Sequence, residues 1–118
     1  MDQGQTPKPG PCVVVHGTQF VAQDLRDILM IRGAQDVLIF NSIDDVPDIP
    51  FSIAFADCPV QQLLTSNLHA RLKSDAAPVV MVNGGEESCE AAGAGFLVLG
   101  QPFRTEDVIA LLDRIGLF

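Results

Sequence analysis

Basic residues are scarce in this chain, which has 7 lysines and arginines against 15 aspartates and glutamates and a formal net charge of −8 at pH 7. Binding to nucleic acid or to an anionic membrane surface requires a basic patch that neutralises phosphate charges. The acidic balance therefore argues against both kinds of partner. No apolar run approaches the roughly 20 residues that span a bilayer. No basic segment is followed by the long apolar stretch of a signal peptide.

Cysteine is also rare, and no metal-binding pattern is present. The 3 cysteines, Cys12, Cys58 and Cys89, are widely spaced and form no CxxC motif. An odd, scattered set of this kind is typical of buried thiols in a cytoplasmic protein. Cys58 precedes Pro59 at a predicted helix start, a position that favours reactivity. A small cysteine-dependent protein is therefore kept as an alternative.

What the chain does contain is a regular alternation of short apolar runs and amphipathic segments. Residues 1–10 are polar and rich in Pro and Gly, which predicts a flexible tail, and residues 11–118 form one predicted domain. The apolar runs predict five strands, over 11–15, 37–40, 51–57, 78–82 and 96–99. The segments between and after them predict helices over 18–33, 59–73, 86–92 and from 105 onward, with about one helical turn over 42–46. This order implies a parallel sheet covered on both faces.

Asp57 is the candidate functional residue because it ends the central apolar run. In open α/β sheets the ligand crevice lies beyond the carboxyl ends of the strands. His16 ends the first strand and is predicted to be a hydrogen-bonded turn residue. A transition metal shared by His16 and Asp57 would have too few ligands. His69 lies on the polar part of a predicted helix, which indicates a solvated side chain.

The order of these pieces resembles the receiver domain of bacterial two-component response regulators over about residues 11–117. The resemblance is carried by strand ends at His16-Gly17 and Asp57, by Pro78-Val79-Val80-Met81-Val82-Asn83, and by Ala92-Gly93-Ala94-Gly95-Phe96-Leu97 leading to Gln101-Pro102-Phe103. It implies a single-domain, flavodoxin-like (βα)5 three-layer sandwich with strand order 2-1-3-4-5, here with a shortened second helix. It also places Asp57 on the family's phosphoacceptor position.

The other positions of the family's site carry different residues in this chain. His16 and Gly17 replace two acids that hold Mg²⁺, Asn83 replaces a serine or threonine, and Gln101 replaces a lysine. Mg²⁺ prefers hard oxygen ligands, whereas imidazole suits softer metals. Losing one preorganised electrostatic group typically costs about 2.7–4 kcal/mol of transition-state stabilisation. We therefore expect no cofactor, with Mg²⁺ binding and phosphorylation lost or strongly impaired.

These replacements predict a stand-alone, non-enzymatic pseudoreceiver that acts by binding a partner in two-component signalling. The resemblance implies a histidine kinase, another regulator or a second copy of the chain as that partner. It places the family's partner surface around Phe96, Leu99, Arg104 and Glu106. Two alternatives stay open: a weak phosphorelay receiver that uses Asp57, and a small ligand-binding or cysteine-dependent protein with a deep pocket at the strand ends.

Overall fold

Five short apolar runs form the strands of one parallel sheet in the computed structural model, which describes residues 11–34, 36–47, 49, 51–74, 77–82, 96–100 and 103–115. The strands are β1 (Cys12–Val15), β2 (Val37–Phe40), β3 (Ile53–Ala56), β4 (Val79–Val82) and β5 (Leu97–Leu99). Their order in the sheet is β2-β1-β3-β4-β5. Every neighbouring pair is parallel. This is the flavodoxin-like α/β arrangement, and it confirms the predicted fold and strand order.

The two faces of the sheet bury separate sets of side chains, because successive residues of a strand point to opposite faces. Phe55 of β3 and Val14 of β1 face helices α1 (Gln19–Ile31) and α4 (Thr105–Ile115). Ala54 and Ala56 face the opposite side, where they pack with Phe51 and with residues of the two helices that follow β3 in the chain. Burial on both faces explains why the strands are almost continuously apolar rather than alternating.

Helix α1 ends in a Schellman motif around Gly33, the predicted stop. The amide of Gly33 donates to the carbonyl of Met30 at 3.1 Å, and the amide of Ala34 donates to that of Leu29 at 3.0 Å. Gly33 has φ of 114°, a conformation that side-chain-bearing residues rarely adopt. Arg32, at the helix C-cap, also forms an ion pair with Asp113 of α4.

We expect Gly33→Ala to lower the free energy of unfolding by about 1–3 kcal/mol, the usual range for a strained backbone residue. An added Cβ would meet nothing within 4 Å, so the cost comes from the backbone alone. Gly17→Ala is the matched control, since Gly17 is equally open and has no positive φ. Urea unfolding of both variants measures the difference. Equal stability of the two variants would contradict this account of the helix end.

The connection after β2 is shortened to a 3₁₀ turn, Ile43–Asp45, which confirms the predicted single helical turn. The Ser42 hydroxyl accepts from the amide of Asp44 at 3.2 Å and caps this turn. Ile43 is buried against the sheet. Pro47 follows and prevents further helical growth. The shortened element therefore keeps one apolar anchor on this face of the sheet.

The single helix predicted over 59–73 is wrong, because the chain forms α2 (Val60–Leu64) and α3 (Asn67–Ser74) instead. The Thr65 hydroxyl donates to the carbonyl of Gln61 at 3.1 Å, and the Ser66 hydroxyl donates to that of Leu63 at 2.6 Å. Ser66 then caps α3 by accepting from the amide of His69 at 3.1 Å. Hydroxyl side chains that bond nearby backbone groups compete with helix continuation.

Helix α4 begins at Thr105, where the sequence predicts its start. The amide of Arg104 donates to a carboxylate oxygen of Asp107 at 2.9 Å, and the amide of Asp107 donates to the carbonyl of Arg104 at 3.0 Å. Arg104 therefore occupies the N-cap, and Asp107 supplies the reciprocal half of a capping box. Among the described residues, no helix has the length and apolarity needed to cross a membrane. The predicted tail over 1–10 and the predicted helix over 86–92 lie outside those residues.

Candidate functional site

The sheet register places His16 and Asp57 side by side at the carboxyl edge of the sheet. Strands β1 and β3 are neighbours, and Val15 pairs with Ala56. The amide of Asp57 continues the ladder by donating to the carbonyl of Val15 at 2.8 Å. On the other side of β1, the amide of His16 donates to the carbonyl of Phe40 at 3.0 Å. Both residues therefore extend from a rigid sheet rather than from a loop.

The imidazole of His16 contacts the carboxylate of Asp57 directly. Nε2 of His16 lies 3.3 Å from Oδ2 of Asp57. The His16 side chain is only 4% exposed, whereas the Asp57 side chain is 38% exposed. The acid is therefore open to solvent on one side and faces a buried ring on the other.

The second ring nitrogen determines where the His16 proton is. The backbone amide of Thr18 donates to Nδ1 of His16 at 2.9 Å. An amide N–H can only donate, so Nδ1 must present a lone pair. The proton of the ring is then on Nε2, which faces Asp57. This contact confirms His16 as a hydrogen-bonded turn residue. Thr18 is the N-cap residue of α1, and its side chain makes no capping hydrogen bond.

The described part of the site does not fit a divalent cation. Asp57 supplies a carboxylate, but Gly17 has no side chain, and the protonated Nε2 of His16 has no lone pair to offer a metal. The described residues include no group of three or more metal-ligating side chains. Asn83 and Gln101, the other two replaced positions, lie outside the described part of the chain. Gly17 is open, because an added Cβ would meet nothing within 4 Å.

The structure describes two of the three cysteines, Cys12 and Cys58. Burial raises the pKa of the Cys12 thiol above its ordinary value of 9.0, a side-chain contact with Ser52 partly opposes the rise, and the charge of Asp36 adds to it. Cys58 is half-buried beside Asp57. His16 cannot serve Cys58 as a general base, because Nδ1 is bonded to Thr18 and Nε2 carries the proton. A surface depression lined by Val98, Leu99, Gly100, Asp107, Ala110, Leu111 and Arg114 includes neither Asp57 nor Cys58.

We expect Cys12 to resist alkylation by iodoacetamide in the folded protein near neutral pH and to react once urea unfolds the chain. The thiolate is the reactive species, and the raised pKa keeps the buried thiol protonated. Its contribution to stability is full below the ordinary pKa and is lost as pH rises through the raised folded pKa. Peptide mapping by mass spectrometry locates the adduct. Labelling of Cys12 at equal rates in folded and unfolded protein would contradict this placement.

The residues predicted to form a partner surface are in different environments. Arg104 and Glu106 are exposed, while Phe96 is half-buried and contacts His69 edge to face with ring centroids 5.6 Å apart. Leu99 is only 4% exposed and packs in the core. Leu99 therefore has to be removed from the predicted surface, because the inward face of β5 buries it under α4. The solvated position expected for His69 is likewise corrected to a packed one.

The outward face of α1 was missed by the sequence analysis. Phe20 is 86% exposed, Ile31 is 78% exposed and Met30 is also exposed. Phe20, Asp24, Asp27 and Ile31 follow one another at helical spacing on that face, and we call these four residues the α1 face. The signal was available, since Phe20 and Ile31 fall outside the stripe of Leu25, Ile28 and Leu29 that packs on the sheet.

The parallel sheet and its strand order indicate a CheY-like fold. The chain is similar to the solved structure of the Vibrio cholerae chemotaxis protein CheY4, with a TM-score of 0.70 and 18% sequence identity. The alignment covers 90% of this chain and 98% of that protein. At this identity the similarity shows the fold and confirms the CheY-like architecture. No protein-family model matches the sequence, and comparison with curated proteins finds no match.

Proposed function

We propose that this chain is an atypical receiver domain of bacterial two-component signalling that acts by binding a partner protein in the cytoplasm. Its output does not depend on phosphorylation of Asp57. The contact between Nε2 of His16 and Asp57 carries this proposal. In this contact Asp57 has a permanent partner within the protein, at the position where receiver domains hold a metal ion. Receiver domains with this fold are generally signalling modules rather than enzymes.

The electrostatics of phosphoryl transfer support the same function. Transfer to a carboxylate brings two anions together, and a metal ion with a lysine normally compensates the charge. Gly17 and His16 add no negative oxygen near Asp57, and Gln101 of the sequence carries no charge. Loss of two electrostatic groups at about 2.7–4 kcal/mol each slows the reaction by several orders of magnitude.

The exposed α1 face supports a binding role. Two large apolar side chains, Phe20 and Ile31, flank the acidic Asp24 and Asp27 on one helix. Interfaces commonly combine an apolar centre with polar neighbours. Pairing of this face with a second copy would bring the aspartates of both chains together, so a partner with basic residues fits it better. We therefore propose the α1 face as a partner surface in addition to the one predicted around Arg104 and Glu106.

Affinity capture from the native organism tests the proposal with four baits: the native chain, Asp57→Ala, Phe20→Ser/Ile31→Ser and Arg104→Ser/Glu106→Ser. We expect Asp57→Ala to retain the partner that the native chain captures and Phe20→Ser/Ile31→Ser to lose it. Both serine pairs change exposed side chains and should leave stability within about 0.5 kcal/mol. Loss of the partner from Asp57→Ala would contradict a phosphorylation-independent function. Loss from the Arg104/Glu106 pair alone would move the interface to that surface.

The alternative within the same fold is a weak phosphoacceptor at Asp57, favoured by the 38% exposure of this side chain. A working phosphoacceptor site needs a bound metal ion to compensate the charge of the incoming phosphoryl group. Titration with Mg²⁺, followed by NMR of backbone amides, distinguishes the two functions. The proposed function predicts no saturable shifts around Asp57, whereas the alternative predicts saturation.

A further inference from the structure

His16 contacts two parts of the fold, the start of α1 and the end of β3. Its Nδ1 accepts from the amide of Thr18, at the start of α1, at 2.9 Å. Its Nε2 lies 3.3 Å from Oδ2 of Asp57, at the end of β3. The ring itself is buried. A buried ring whose Nδ1 accepts a backbone hydrogen bond has one neutral tautomer, with the proton on Nε2.

The direction of the Nε2–H dipole matters for the acid. Nε2 lies 3.3 Å from Oδ2 of Asp57, so the positive hydrogen that Nε2 carries is close to the carboxylate, in surroundings where the effective dielectric constant is lower than in water. A cation at Asp57 would sit about 2.0–2.1 Å from a carboxylate oxygen if it were Mg²⁺. On Oδ2 it would come close to a hydrogen of the same sign of charge, and it would gain no ligand from the ring.

We infer that the neutral Nε2–H group of His16 is the permanent internal partner of Asp57 and takes the place of a divalent cation at this acid. His16 is thus a positioning residue: it orients Asp57, ties the end of β3 to the start of α1, and opposes cation binding. The inference rests on the proposed function and deepens it, because it names the group that makes the acid independent of metal. It also explains why a buried histidine is compatible with this strand end.

The chain has only 2 histidines, His16 and His69, which makes a direct test simple. NMR of a ¹⁵N-labelled sample distinguishes protonated from unprotonated ring nitrogens, and His69 serves as the internal reference. Near neutral pH we expect His16 to show a bare Nδ1 and a protonated Nε2, with no change when millimolar Mg²⁺ is added. A His69→Gln sample assigns the two rings without touching the site.

Asp57→Ala provides the second arm. Thr18 still donates to Nδ1 in this variant, so we expect the tautomer to be retained. The Nε2 proton loses a charged acceptor and should exchange with water at least about tenfold faster. A proton on Nδ1, a doubly protonated ring, or an unchanged exchange rate in Asp57→Ala would overturn the inference.

A change in the NMR shifts of the His16 ring nitrogens at saturating Mg²⁺ would also overturn the inference. These failures are distinguishable from failure of the proposed function. A different tautomer of His16 would leave Asp57 phosphorylation undetermined and partner binding intact. Loss of the partner on Asp57→Ala substitution, or phosphorylation of Asp57 with the His16 tautomer in place, would refute the function alone.

Discussion

Phe55→Ala is expected to lower the free energy of unfolding by about 3–5 kcal/mol, the range for removing a buried phenylalanine side chain from a core. Phe55 is on the central strand β3 and is fully buried in the cluster formed with α1 and α4. A domain of this kind has a total stability of about 5–15 kcal/mol. This substitution therefore removes a large share of it, and urea unfolding monitored by circular dichroism measures the loss.

Phe20→Ala is the matched control, because it deletes the same side chain from the exposed face of α1. We expect its stability to stay within about 0.5 kcal/mol of the native value. The comparison separates the cost of a core cavity from the general effect of losing a phenylalanine. A loss of less than about 1 kcal/mol in Phe55→Ala would show that β3 is not the centre of the core.

The second large effect is expected from restoring acids at the end of β1. His16→Asp/Gly17→Asp should convert a site that does not respond to Mg²⁺ into one that is stabilised by it. Three carboxylates then lie at one sheet edge and repel each other until a cation binds. At a free Mg²⁺ concentration one hundred times the dissociation constant, binding would add about 2.7 kcal/mol to the free energy of unfolding.

Thermal unfolding with EDTA and with Mg²⁺ measures this response. The open space around Gly17 accommodates the new side chain. His16→Asn/Gly17→Asn is the matched control, since asparagine has nearly the same shape as aspartate and no charge. We expect no Mg²⁺ response from the asparagine pair or from the native chain. An equal response from both pairs would show that the lost acids do not explain the lost cation site.

The strands were predictable because their chemistry is local. Runs such as Cys12–Val15 and Val79–Val82 are continuously apolar, as strands buried on both faces must be, and the structure has both of them close to the predicted bounds. The break between α2 and α3 was not predictable from the same pattern. Apolar residues recur every four positions across Thr65 and Ser66, and only the hydroxyl–carbonyl bonds of these two residues show where the helix ends.

The sequence predicts where the candidate site lies, but it does not predict the tautomer of His16. The ends of two apolar runs placed His16 and Asp57 at the same edge of a parallel sheet. The tautomer of His16 depends on the Thr18 amide, two residues away, whose direction is fixed by the turn into α1. That geometry has no counterpart in composition or spacing. The burial of Leu99 likewise depends on where α4 packs, which the charges around it do not reveal.

The most direct test of the central claim is incubation of the native protein with acetyl phosphate and Mg²⁺, followed by intact-mass measurement. An acid that is occupied by His16 and lacks a metal site should gain no phosphoryl group, and the mass should stay unchanged. Stoichiometric, acid-labile phosphate that disappears in Asp57→Asn would contradict the account.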